Sequence, residues 1–403
     1  MTIESKGCAE HAARSQSASE HAAGTFRAPR MRRFVRRTSC VSSSFPVLDI
    51  RDFRSDPRRF AEELRHAAHR TGFFQLRHGL PSELVRRVVT EAQTFFASSD
   101  ADKSAIDYSQ SSAFRGYMRV GVENTAGKLD LREQVEIAAE GAPAAASAWP
   151  PYLRLRGPNQ WPAGQPGLEP AVAEYATLMG EVSAEVTHAL CMALGLAPTA
   201  LDTHFAPEPH WQLKLAAYEP ATRGGHRGAA ASGAEGDVAL EVGVGAHTDS
   251  GWLTMLLQDD SGGLQAFTQG EWRDVPPLGD ECVVVNLGEV AEMLSGGYLL
   301  ATPHRVLLPP ARRLSVPYFY NPALEAMVGA LPGLDTAALP WERDDGYDAQ
   351  AHWRRPSNAM LNEYGANAFK SLARSHPAVF AAHHTDLVVL GDGQVTRRDG
   401  TMS

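Results

Sequence analysis

The chain has 403 residues, 43% of them hydrophobic, a formal net charge of -9 and four cysteines. Such a length can bury a large core, while the acidic balance argues against a nucleic-acid partner, which would want a basic face. No apolar run approaches the roughly 18 residues of a membrane span. The expectation is a soluble, cytoplasmic chain with no nucleic-acid, membrane or obligate protein partner. Cys8, Cys40, Cys191 and Cys282 show no CxxC spacing, which suits a reduced compartment with buried thiols and no disulfide framework.

Residues 1–44 are rich in Ser, Ala and Arg and carry 8 basic against 3 acidic groups, leaving 30 basic and 44 acidic groups (-14) for the rest. This segment reads as a disordered extension. Its basic run at 30–37 is also compatible with an organellar transit peptide, with Glu4, Glu10 and Glu20 counting against that. From Phe45 the pattern tightens. FPVLDI is a strand signature, and Pro57 to Arg70 places Phe60, Leu64, Ala67 and Ala68 at helical spacing. Gly72 ends that helix, GFFQL follows as a buried strand, and a further helix runs from Pro81 with Leu84, Val88, Ala92 and Phe95 on its inner stripe. His78, at the turn before Gly79, is expected to be structural.

Leu168 to Leu194 is the long helix, and its stripe of Val172, Tyr175, Met179, Val182, Val186 and Leu190 should pack on a sheet. Then strands dominate: 211–218 alternates, 253–258 and 282–288 are apolar, and Gly262–Gly263 turn the chain between them. Between the first of these and the next, residues 221–242 are Gly/Ala-rich and read as a flexible surface insertion, with a lid as the other reading and His226 as a bystander. Roughly eight antiparallel strands imply an α+β chain with a mainly β core, a double-stranded β-helix or jelly-roll preceded by an amino-terminal helical and strand portion and the long helix. The expected divisions are 1–44, 45–165, 166–335 and 336–403. The last should hold a polar stretch around 341–357 and one helix near Leu361 to Ala382.

The chemistry concentrates between Gly243 and Pro322. His247 and Asp249 stand two apart on a β-patterned run, so their side chains point to one face. His304 comes 55 residues after Asp249, and nine residues later comes Arg313-Leu314-Ser315. Two imidazoles and a carboxylate are the facial-triad ligand set of a non-haem Fe(II), with open positions for substrate and O2. An arginine fork with a hydroxyl on the same strand face suits the distal carboxylate of a keto acid. His384-Thr385-Asp386 repeats the His-x-Asp letters without a later histidine or Arg-x-Ser, and reads as a solvated helix end.

The order His-x-Asp, His, Arg-x-Ser, together with FPVLDI, TGFFQLRHGLP (Thr71 to Pro81), a Phe-Phe near Phe95 and FRGYM (Phe114 to Met118), resembles the iron- and 2-oxoglutarate-dependent dioxygenases of the isopenicillin N synthase-like superfamily. The likeness runs from about Phe45 to about Asp386. It implies that His247, Asp249 and His304 bind Fe(II) and that Arg313 and Ser315 hold 2-oxoglutarate, with ascorbate as an auxiliary reductant. It further implies that Tyr218 lies by the keto-acid carboxylate, that Phe319 faces substrate, and that the carboxy-terminal segment helps cover the site. O2 would then drive hydroxylation, desaturation or ring formation of a small organic metabolite, with release of succinate and CO2. Asn286 and Gly288-Glu289 echo the family's Asn-x-Gly-Asp, and the 221–242 insertion departs from it. Three other readings stay open: a 2-oxoglutarate-independent oxidase of the isopenicillin N synthase or aminocyclopropane-carboxylate oxidase type, a metal-dependent isomerase or cupin dioxygenase, and a non-catalytic jelly-roll binding module.

Overall fold

Asp56 and Pro57 start the first long helix: the Asp56 carboxylate accepts from Arg59 N at 3.2 Å, and proline fills a first-turn position where no N–H is needed. Fifteen residues on, Gly72 takes φ +59°, and a Cβ there would lie 2.2 Å from the Leu300 carbonyl oxygen, so only glycine lets the chain turn into the next strand. The computed structural model describes residues 45–125, 128–220, 242–342, 360–391 and 393–400.

The amino-terminal portion contains β1 (Val47–Asp49), α1 (Ile50–Ser55), α2 (Pro57–Arg70), β2 (Phe73–Arg77), α3 (Ser82–Phe96), α4 (Asp100–Ser104), β3 (Gly116–Met118), β4 (Asn124–Thr125), β5 (Lys128–Leu129) and β6 (Glu133–Ala138). The long helix is α5 (Leu168–Ala193). After it come β7 (His210–Tyr218), β8 (Val242–His247), β9 (Leu253–Gln258), β10 (Leu264–Thr268), β11 (Glu271–Asp274), β12 (Cys282–Leu287), α6 (Glu289–Leu294), β13 (His304–Leu307) and β14 (Arg313–Asn321). The carboxy-terminal segment carries α7 (Tyr364–Ser375), α8 (Pro377–His383), β15 (Leu387–Val389) and β16 (Val395–Arg397).

Two sheets form the core. The larger runs β1-β2-β12-β9-β14-β7-β6-β3, antiparallel except for the β1/β2 pair, and the smaller runs β11-β10-β13-β8. Phe73, Ala216, Tyr218 and Val284 of the first meet Val244, Leu264, Ala266 and Val306 of the second in one buried cluster. This is the expected jelly-roll core, without a closed barrel. The other face of the large sheet packs against the helices. Val172, Tyr175, Met179, Val182, Val186 and Leu190 of α5 are all buried there, as their spacing predicts. Each such side chain stabilises the fold by about 1.5–3 kcal/mol through burial.

Strand alternation decides which residues can work on a ligand. Along β14, Leu314, Val316, Tyr318 and Tyr320 belong to the helix-side core. Arg313, Ser315, Pro317 and Phe319 therefore face the smaller sheet, in line with Tyr218 and Ala216, their neighbours on β7. His78 is structural as expected, its Nε2 2.9 Å from Asp280 O and its Nδ1 accepting from Leu80 N at 3.0 Å. Cys191 and Cys282 are buried free thiols.

Two expectations fail. The single helix near Leu361 to Ala382 is two helices, because Pro377 cannot donate to the ladder and disfavours helix geometry at His376, whose φ is -126°. His384 is no solvated helix end: it is 1% exposed, stacks on Phe114 at 5.4 Å, and holds Ser112 O at 3.0 Å through Nε2. Its neighbour Asp386 takes both guanidinium nitrogens of the buried Arg154, at 2.8 and 2.6 Å. Apolar packing partners far away in sequence, invisible to local pattern, drew this turn inward. The 221–242 insertion, apart from Val242, and most of the 341–357 stretch lie outside the described residues, as does His226.

Candidate metal and keto-acid site

His247 ends β8 and His304 begins β13, and the two are direct cross-strand partners. Their rings lie 4.3 Å apart, centroid to centroid. Asp249 follows in the turn after β8, beneath α6, where Glu289 N donates to Asp249 O at 2.8 Å and Glu289 also accepts from the Thr248 hydroxyl at 2.6 Å. Gly288 permits this approach: a Cβ there would stand 2.2 Å from Gly251 O and 2.8 Å from Asp249 O.

Each donor is aimed by a partner on its far side. His247 Nδ1 lies 2.8 Å from Gly245 O and His304 Nδ1 3.1 Å from Thr302 O. A carbonyl only accepts, so both protons sit on Nδ1 and both Nε2 lone pairs face inward. Asp249 Oδ2 is spent on Thr254 Oγ1 (2.5 Å) and Asn286 Nδ2 (2.7 Å), which leaves Oδ1. Oδ1 stands 3.7 Å from each Nε2, too far for hydrogen bonds, and the three residues can bring one ligand atom apiece within 4.8 Å of one another. Burial, and then His304, push the His247 imidazole down to about 4, so it is neutral at pH 7 and available as a ligand. Burial alone would raise the Asp249 carboxyl, but the two imidazoles, Thr254 and Asn286 outweigh it and hold the group below its ordinary range. Three converging lone pairs of N, N and O type fit a divalent first-row metal.

Arg313 opens β14 with its side chain fully buried. Its Nη1 donates to Gly262 O and its Nη2 to Gln258 Oε1, while Nε has no partner. Among the described residues no carboxylate pairs with it, and burial holds the guanidinium below its ordinary value. A buried cation with Asp259 acting on it only from beyond ion-pair contact fits an anionic ligand. Ser315 lies two residues along on the same face, opposite Ala216 and Gln258. Tyr218 pairs in register with Arg313, with the guanidinium 5.8 Å from its ring, and its hydroxyl accepts from Arg132 Nη1 at 3.5 Å.

Comparison with known proteins identifies the family. Residues 45–164 match the non-haem dioxygenase in morphine synthesis N-terminal family, and residues 222–322 match the 2OG-Fe(II) oxygenase superfamily. The 2-oxoglutarate-dependent dioxygenase frbJ of Dothideomycetidae sp. (strain 11243) is 34% identical over 70% of this chain and 75% of its own. The chain belongs to the 2OG-Fe(II) oxygenase superfamily. Homoarginine-6-hydroxylase 2-ODD-C23 of Glycine max is 30% identical over 73% of this chain and 91% of its own length. In fold, a full-length Neurospora crassa protein solved in complex with alpha-KG superposes with a TM-score of 0.61 at 24% identity, covering 73% of this chain and 90% of that one.

This 2OG-Fe(II) oxygenase is a non-haem dioxygenase that uses Fe(II), 2-oxoglutarate and O2. The structure brings His247, Asp249 and His304 to one point, and sets Arg313, Ser315, Tyr218 and the half-buried Phe319 along one sheet face. Phe319 pairs with Thr254, the residue that holds Asp249. Sequence reasoning gave no site role to Thr254, Gln258, Arg132 or Asn286 and read Gly262 only as part of a turn. Of these only Asn286 left a site signal, in the Asn-x-Gly-Glu run; Thr254, Gln258 and Gly262 become meaningful only once β9 lies between β12 and β14, and Arg132 only once β6 lies beside β7.

Proposed function

We propose that His247, Asp249 and His304 are the iron ligands of this dioxygenase, that Arg313 and Ser315 hold the distal carboxylate of 2-oxoglutarate with Tyr218 beside them, and that Phe319 faces the substrate. The observation that carries the reading is Asp249 Oδ1, 3.7 Å from both imidazole Nε2 atoms while every other polar atom of the three side chains is tied elsewhere. When bound, iron and 2-oxoglutarate supply the oxidant, O2 being reduced as 2-oxoglutarate is decarboxylated to succinate and CO2 and the substrate is oxidised by two electrons. The chain's own work is positional. Gly245 O and Thr302 O fix the histidine tautomers, and Thr254 with Asn286 restrict Asp249 to one oxygen. Arg313 then orients the keto acid by charge-assisted bonds of about 1.5–3 kcal/mol each.

The substrate is a small organic metabolite, and relatives named for homoarginine make a basic amino acid the first to try. We further propose ascorbate as auxiliary reductant, a cytoplasmic location with residues 1–44 as an extension outside the catalytic region, and an organisation into 45–165, 166–335 and 336–403. Metal analysis after anaerobic Fe(II) reconstitution tests the ligand set. One iron per wild-type chain and none in His304→Ala is expected; full iron in that variant would remove His304 from the set.

A further inference from the structure

On the face of the large sheet that carries Tyr218, β6 and β7 bear a buried polar cluster that neither the iron nor the keto acid uses in this reading. Glu136 pairs in register with Lys214, and Gln134 with Ala216, so these side chains share the face of Tyr218. Lys214 Nζ reaches Glu123 Oε1 at 3.0 Å and Glu136 Oε1 at 2.7 Å. Arg132 Nη2 meets Glu123 Oε2 at 2.6 Å and Asp130 Oδ2 at 3.2 Å, and Nη1 of the same guanidinium reaches the Tyr218 hydroxyl. Through Tyr218 the cluster adjoins Arg313, and its field reaches His247.

Among the described residues the cluster is short of positive charge and of donors. Three carboxylates, Glu123, Asp130 and Glu136, share two cations in direct contact. Arg115, the next cation, spends its guanidinium on the carbonyls of Ala139, Leu155 and Gly157 and on Asn159. Gln134, 1% exposed, gives Nε2 to Glu123 and Glu136 and is left with Oε1 unpartnered; Asp130, also 1% exposed, has an unpartnered Oδ1. The one unpartnered donor among them is Arg132 Nε. Burial, and the nearby Glu123, push the Asp130 carboxyl up to about 6 against the pull of Arg132, the response of a site with surplus negative charge. Glu123, Glu136 and His376 also stand at metal-ligand spacing, but Lys214 Nζ already bonds one carboxylate oxygen of each glutamate, so those oxygens are not free to ligate a metal ion. Glu123, Arg132 and Lys214 keep 12%, 12% and 14% of their side-chain surface exposed, so this edge of the cluster meets solvent.

We propose that the Glu123–Gln134–Glu136 cluster receives a cationic nitrogen of the substrate, an ammonium or a guanidinium, and so selects basic substrates. This rests on the iron and keto-acid assignment above. A cationic group bearing several N–H donors supplies both the missing charge and the missing donors, whereas a neutral or anionic group there would leave the acceptors unpaired.

The test titrates the anaerobic Fe(II)–2-oxoglutarate enzyme by calorimetry with L-homoarginine, L-arginine, L-lysine and agmatine, and with the neutral isosteres L-homocitrulline, L-citrulline and L-norleucine. At least one cation should bind about tenfold or more tighter than its neutral counterpart, and Glu123→Gln or Glu136→Gln should weaken it by about tenfold or more. The 2-oxoglutarate titration should be unchanged in both variants. Equal binding of cation and isostere, no binding by any of the four cations, or undiminished cation affinity in both variants would overturn the proposal. A wild-type enzyme that fails to bind 2-oxoglutarate would instead strike the underlying assignment, so the two failures are separable.

Discussion

Replacing Arg313 by glutamine separates its proposed ligand role from a structural one. The guanidinium is fully buried, lies on the site face of β14, and has no carboxylate partner among the described residues. A bidentate pair with the distal carboxylate of 2-oxoglutarate comprises two charge-assisted bonds of about 1.5–3 kcal/mol each. Glutamine can restore part of one bond, so a net loss of about 3 kcal/mol, roughly a hundredfold in affinity, is expected. The same substitution should cost the resting fold little. It leaves one of Gly262 O and Gln258 Oε1 without its donor, about 1–3 kcal/mol, but relieves a buried charge that lacks a counterion. Calorimetry and thermal melts check both halves. Wild type should gain about 2.7 kcal/mol of stability at a hundred times the 2-oxoglutarate dissociation constant, and Arg313→Gln almost none at that concentration. Unchanged 2-oxoglutarate affinity, or a collapse of the apo fold, would refute the reasoning.

Other outcomes follow from the same contacts. Asn286→Ala frees one side of Asp249 Oδ2 and should weaken iron about 10–100-fold while the melting curve changes little, as metal titration would register; unaltered affinity would deny Asn286 an orienting role. Gly288→Ala drives a Cβ into Gly251 O and Asp249 O, so iron occupancy should fall along with stability; a variant that keeps full iron would show that the turn yields freely. His384 gives a pH signature. Burial holds its imidazole down to about 4, below the unfolded value of about 6.5, so it favours the native state fully above pH 6.5 and less and less as pH falls toward 4. In His384→Gln that acid limb should be shallower by up to about 1.4 kcal/mol per pH unit; identical limbs in denaturant titrations would exclude the effect.

The sequence was most legible where a single element carries the message. The stripe on α5 and the alternation on β14 predict their own burial, because helical and strand periodicities are local properties. The convergence of His247, Asp249 and His304 was legible because two of them share one short run and the third falls at a chemically recognisable distance along the chain. Contacts between distant elements were not. Asn286 and Thr254 meet Asp249 only because β12 and β9 are neighbours, and Arg313 finds Gln258 and Gly262 only across the β14/β9 pairing. The Glu123–Lys214–Glu136 cluster needed three separate segments on one face before its charge imbalance could be counted. His384 misled for the same reason: its letters mimic a ligand pair and its position suggests a helix end, while Phe114 and Ser112, some 270 positions earlier, decide its burial.

The central claim is that the triad and Arg313 build one Fe(II)–2-oxoglutarate site. Its most direct test is anaerobic addition of 2-oxoglutarate to the Fe(II) enzyme, watching the visible charge-transfer band of the chelate. The band should form in wild type, need far more 2-oxoglutarate in Arg313→Gln, and be absent at any concentration in Asp249→Ala. A band of wild-type strength in Asp249→Ala, or none in iron-loaded wild type, would contradict the account.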